Sequence, residues 1–412
     1  MSPKSRGRPK GRGQPPARRR PPVRQLTELD HLLHEAPGLR DCTLLEAQAI
    51  ASAWLGSAWQ KRTLGPLDAE ADLVRAVVAA TRGSRADAAY LALHALATLP
   101  DDAWRDDVAA ALDAAPPNAA PAWAADSRTR IPEAPYRARR WSDPWGSDLI
   151  HLVRFTEPIE HSLIVHETTV GGRYVHVIEV GVQAAEPDPV IGDLTSVEVD
   201  PGDALADIAD ALWQTDMYWP PQDDPDYTLT RALAHWRTRR HRRDVEWEPL
   251  PDDERRRLLG DFAAEHATSI DPGIVEVLAD TFIDFGDGYL HGGVLAWSPG
   301  EVARFMLDWV HRKVSLEPEC IDALPTVLAA WVRFALGRRG LAVEHITPVV
   351  DAVAAAQDEF HDLSTDGSAA GPAKEILARI LAEGIDLHDR EAVDRVIGAY
   401  NAEQNARNLL AP

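Results

Sequence analysis

Residues 148–199 constrain the fold of this 412-residue chain most, because their apolar pattern differs from everything around them. The runs Leu149–Thr156, Ser162–Thr169, Arg173–Val182 and Leu194–Val199 are rich in Val, Ile, Thr and Tyr, which suit a pleated surface. Gly171-Gly172 separates the second and third runs, where a tight hairpin needs positive φ. The implied pairing sets His166 opposite Val177 and His176 opposite Glu167. Asp200-Pro201-Gly202-Asp203 then opens a helix, with a capping Asp, Pro at the first helical position and a carboxylate in the first turn. The expectation for residues 147–227 is a small α+β unit, an antiparallel sheet with a helix packed on it.

On either side, apolar residues return at helical spacing. Leu44–Trp59, Leu67–Thr81 and Arg85–Leu99 predict a helical region over 25–115, punctuated by Pro66 and Pro100. Residues 116–146 are rich in Pro and Ala without periodicity and read as a linker or strapped loop. Residues 228–412 read as a helical domain. Within it, Ser298-Pro299-Gly300-Glu301 predicts a capping box opening a helix with the buried stripe Val302, Phe305, Met306 and Trp309. Further helices are expected from near Pro325, Pro348, Pro372 and Asp389. The fold class is therefore mainly α with a small antiparallel β-sheet (α+β), and no repeat of fixed period is present.

Charge divides the chain differently. Residues 1–24 hold nine Lys or Arg and no acid, while the formal net charge is −22, which leaves −31 on residues 25–412. With few apolar side chains, this arm cannot offset its ordering entropy and is expected to be disordered. Its preference is for polyanions. The two cysteines, Cys42 and Cys320, supply no disulfide framework and too few thiols for a structural zinc site, which points to a reducing compartment. No apolar run follows the basic start or approaches bilayer-spanning length, so the expectation is a cytoplasmic protein without a membrane partner. The use of 38 Arg against 5 Lys, with abundant Ala, favours a GC-rich bacterial genome.

Within the arm, Arg6-Gly7-Arg8-Pro9-Lys10, followed by Gly11 and Arg12, resembles the AT-hook of high-mobility-group chromatin proteins. The resemblance implies DNA-binding roles for Arg6, Gly7, Arg8, Pro9, Lys10 and Arg12. Gly would let the backbone lie on the groove floor, and Pro would hold an extended turn. The Arg side chains would follow the narrow, strongly negative minor groove of A·T-rich DNA. If all nine arm charges met phosphates, the log-log salt slope would be roughly −8. The acidic body opposes that approach, so useful affinity requires several arms, through a homo-oligomer or a protein partner. In the C-terminal half, Asp308–Val314, Leu324–Ala335 and Gly384–Val393 are similar to uncharacterised actinobacterial proteins related to a plasmid open-reading-frame family, which implies no activity for these residues.

Other constellations have structural and functional readings. A second basic cluster spans 231–243; as a helix, Leu229, Leu233 and Trp236 would form an apolar stripe opposite Arg231, His235, Arg239 and Arg242. That basic face could lie on phosphates; the favoured reading is a solvated face paired with Asp252, Asp253 and Glu254. His161, His166 and His176 invite a metal, but strand alternation sends His166 and His176 to opposite faces. Asp280, Asp284, Asp287 and His291 fall in a glycine-rich loop, favoured as a structural turn yet the first place to seek a site. Asp216–Pro221 is an aromatic segment that either seals the sheet unit or receives a partner. No nucleophile elbow, phosphate-binding loop or zinc-protease helix is present, and no catalytic residue, metal or cofactor is assigned. The leading expectation is a DNA-associated protein whose body senses or binds a partner. The alternative is an interaction scaffold with a non-specific basic tail, and the third is an enzyme built on the Asp284–His291 loop.

Overall fold

The computed structural model describes residues 27–410, apart from segments 63–67, 117–118, 128–134, 158, 183–189, 192, 244–247, 267–269, 367–375, 377–378, 381 and 387–388. The arm, including Arg6–Arg12, and the helix expected near Pro372 begin outside the described residues. The strands are β1 Pro135–Ser142, β2 Asp148–Phe155, β3 His161–Thr168, β4 Tyr174–Gly181, β5 Val190–Ile191 and β6 Leu194–Val199. They form one antiparallel sheet in the order β4-β3-β2-β1-β6-β5.

Central strand β1 corrects the linker reading of 116–146. Its sequence, PYRARRWS, buries fully only Ala138 and Trp141, so it carries no aliphatic alternation to announce a strand. Pairing with β2 and β6 on both edges supplies what propensity does not. In the β3–β4 hairpin, Gly171 and Gly172 adopt φ of +84° and +109°. A Cβ on Gly172 would also stand 2.2 Å from the Tyr218 hydroxyl, so space as well as φ selects glycine there. The His166–Val177 pair forms as expected, but the register then shifts, and Glu167 faces Val175 instead of His176. The bulge at His176 removes the strict alternation on which the opposite-face argument rested.

Helix α7, Pro201–Met217 in the structure's full helix order, is preceded by α1 Glu28–Glu35, α2 Leu44–Trp59, α3 Ala69–Ala80, α4 Ala86–Leu96, α5 Arg105–Asp113 and α6 Ala124–Ser127. The Asp200 carboxylate caps α7, accepting from Gly202 N at 2.8 Å and Asp203 N at 3.1 Å. Leu205, Ile208 and Leu212 of α7 bury one sheet face against Val153, Leu163 and Val165. Capping boxes at Thr27/Asp30 and Thr43/Glu46 start α1 and α2. Helix α8, Pro225–Thr238, lies across α2, and its Leu233 joins the N-terminal core with Leu55, Val74 and Leu93. A Cβ on Gly56 would come within 1.9 Å of the Thr228 carbonyl oxygen, so the two helices cross almost backbone to backbone. Residues 228–238, expected to open the C-terminal helical domain, thus lie in α8, whose Leu233 packs with the N-terminal helices.

The C-terminal core starts at Leu258 and unites α9 Asp252–Glu265, α10 Pro272–Tyr289, α11 Pro299–Arg304, α12 Val310–Lys313, α13 Pro318–Arg338 and α14 Val343–Asp366. A π turn, Phe305–Trp309, joins α11 to α12, and α15 is Arg390–Leu410. Val302, Phe305, Met306 and Trp309 are all buried, as their spacing predicts. Pro325 and Pro348 lie inside α13 and α14 instead of starting them. Each proline removes one helical hydrogen bond, but burial of Leu324, Val327 and Leu328 around Pro325 offsets that loss. Helix α13 has the length and apolarity a membrane crossing needs, contrary to the sequence reading; here it packs Leu328, Trp331 and Val332 into the core.

Candidate functional site

The sheet unit and the C-terminal helices meet along a seam built from two turns and a loop. In the β1–β2 turn, Asp143 Oδ1 accepts from Gly146 N at 2.6 Å and Ser147 N at 2.7 Å, and Oδ2 accepts from the Ser147 hydroxyl. Thr169, from the β3–β4 turn, donates its N–H to the Ser147 carbonyl at 2.8 Å and its hydroxyl to the Gly146 carbonyl at 3.0 Å. From the helical side, Glu301 Oε1 accepts from Gly171 N at 3.0 Å. Ser298 does cap α11, accepting from Glu301 N at 3.2 Å. The Glu301 carboxylate is thus committed across the seam. Trp145 completes the junction by donating to the His345 carbonyl at 2.9 Å, while Arg339 donates to the Trp145 carbonyl at 3.1 Å.

These contacts enclose a cavity of about 300 Å³ lined by Arg140, Asp143, Trp145, Ser147, His291, Ala296, Glu301 and Arg339, among others. That volume sits at the lower edge of small-molecule sites, which favour such interfaces. Arg140 Nε is buried without a hydrogen-bond partner, and the guanidinium reaches Asp207 only through a long 3.5 Å ion pair. His291 is solvent-exposed at the cavity and makes no hydrogen bond among the described residues. Crowding by protein atoms, reinforced by the Arg173 charge, lowers its pKa from the ordinary value. Burial raises the Glu301 pKa, against hydrogen bonding from Gly171 N and the charge of Arg304.

Behind the cavity lies a buried network. His151, Glu167 and Arg173 are 1%, 2% and 3% exposed. Glu167 accepts from Arg173 Nε at 2.8 Å and again from Nη2, and its Oε1 lies 2.8 Å from His151 Nε2. Arg173 reaches on to Asp210 of α7 at 3.1 Å. Burial opposes ionisation of Glu167, but hydrogen bonds from His151 and Arg173 hold its pKa at about 2.

Of the four residues placed in the glycine-rich loop, only His291 lines the cavity. The other three lie on α10, which runs through Gly286 and Gly288 to Tyr289. Gly286 tolerates its helical place because the chain doubles back over it, and a Cβ there would stand 2.6 Å from Val294 Cα. Asp280 and Asp284 both bind Arg255 of α9, and Asp287 accepts from Leu250 N at 3.0 Å. These carboxylates join helices; they do not converge on a substrate space.

The basic stripe of α8 is also corrected. Leu229 is exposed, while Arg231 points inward with His235. Asp216 accepts from Tyr227 Oη at 2.7 Å, from Arg231 Nη2 at 2.7 Å and from His235 Nε2 at 2.9 Å. Arg231 also binds Glu70 at 3.1 Å and lies over the Trp59 ring. The partners are thus Asp216 and Glu70, not Asp252–Glu254. Arg239 stacks on Trp236 and donates to the Pro100 carbonyl.

Among the histidines, His161 is buried against Phe155, its Nδ1 2.8 Å from the Ile159 carbonyl, and burial plus the Arg237 charge hold its pKa at about 4. Burial lowers the His166 pKa, against the charge of Glu179. Among the described residues, no group of three or more His, Cys, Asp or Glu could hold a metal ion. The Asp216–Pro221 segment divides: the Tyr218 hydroxyl donates to the Gly171 carbonyl, whereas Met217 and Trp219 face solvent. No family model, curated protein or solved structure matches the chain.

Sequence reasoning missed Arg140, Asp143, Ser147, Glu301 and Arg339 as cavity residues. Asp143 and Ser147 carried a local signal, an Asp followed by Pro144 and Gly146, which marks a turn.

Proposed function

We propose that this protein is a DNA-tethered binding protein whose body takes a small polar ligand at the seam. The observation that carries the reading is the convergence of polar groups from β1, the β1–β2 turn and the α10–α11 loop on one cavity, with Arg140 Nε buried and unpartnered. Buried donors are ordinarily satisfied, so an open donor at a cavity is a place for a ligand atom. The AT-hook-like arm supplies the address, A·T-rich minor groove, and a GC-rich genome would make such tracts markers of particular loci. Several arms acting together would give the affinity that one cannot.

The body's role is tested by filling the cavity. In Ala296→Trp the indole occupies the space, so compounds from a small polar fragment set should raise the melting temperature of the wild type and not of the variant. If no compound separates the two proteins, the seam is packing and the reading fails. A second reading, an interaction scaffold, draws on the exposed Trp213, Met217, Tyr218 and Trp219 around the end of α7.

A further inference from the structure

We infer that the seam cavity takes a small oxyanion, a phosphate or short carboxylate group, between Arg140, His291 and Arg339; this rests on the reading of the seam as a ligand site. The cavity's two acids are already committed: Asp143 holds its own turn, and Glu301 serves Gly171 N and, at 3.3 Å, Arg304 Nη1. What remains open are donors. Arg140 offers Nε, Arg339 keeps the rest of its five-donor fork after one N–H goes to Trp145, and His291 offers a ring nitrogen.

A carboxylate or phosphate oxygen satisfies such donors by charge-assisted hydrogen bonds, and guanidinium groups match its geometry. A cationic ligand would meet two fixed guanidinium charges. A neutral ligand would leave Arg140 with only its long ion pair to Asp207. The roughly 300 Å³ cavity admits the anionic group with a short attached chain and little more.

The full chain is titrated calorimetrically with inorganic phosphate and, separately, with malonate, which distinguishes the two oxyanion sources. At least one should bind once per chain. Arg140→Met and His291→Gln should each weaken that anion roughly tenfold or more, with unchanged far-ultraviolet dichroism. His291 is exposed, so its variant keeps the test decisive if the β1 substitution disturbs folding. Undiminished binding by folded His291→Gln overturns the inference. So does the absence of binding by either anion at tens of millimolar. In the latter case, uncharged fragments that still separate wild type from Ala296→Trp would leave the seam as a ligand site and remove only the oxyanion. Failure of every compound would remove both.

Discussion

Asp216 gathers one stripe of α8, accepting from Tyr227, Arg231 and His235, residues four apart on one helix face. Burial opposes its charge, yet Arg231 and His235 hold its carboxyl well below the usual carboxylate range. Removing that charge strands Arg231 with Glu70 alone, so Asp216→Asn should cost about 3–5 kcal/mol in denaturant unfolding, the usual penalty for breaking a buried pair. The depressed folded pKa fixes the sign with pH. The contribution is complete above the unfolded carboxylate value and fades as pH falls below about 4, so the variant should show a flatter acid limb than the wild type. The stripe itself was legible as a polar helix face. Its direction was not, because local spacing gives no sign of a carboxylate at the end of α7 waiting to pair it. His291 stood out by its glycine-rich context, whereas Arg140 was hidden among the three arginines of β1.

At the scale of elements, strands β2, β3, β4 and β6 and the start of α7 were legible because runs rich in Val, Ile, Thr and Tyr and an Asp-Pro cap are local signals. Strand β1 was not, since its identity depends on neighbours on both sides. The α10 segment misled for the opposite reason: its glycines resemble a loop, but Gly286 allows close packing against the returning chain at Val294. Gly56 makes the same point between helices. Gly56→Ala must push α2 away from α8 or bend one of them, and it should lower stability by about 1–3 kcal/mol, read as a reduced denaturant midpoint with unchanged slope. An unchanged midpoint would mean that the crossing is looser than its geometry implies.

For the whole molecule, charge separates two parts of the chain: a basic arm of nine cations and a body of −31. The body's cores meet along α2–α8 and along the seam, and Arg140 Nε is a buried donor without a hydrogen-bond partner that lies at the seam cavity. We propose that the arm, and not the body, brings this protein to DNA. Fluorescence anisotropy of A·T-rich and G·C-rich duplexes across a salt series tests it directly, with the full chain against residues 25–412. Binding should prefer the A·T-rich duplex, fall with salt at a log-log slope no steeper than roughly −8 per arm, and be lost in the truncated chain. Equal binding of the A·T-rich duplex by both chains would contradict it.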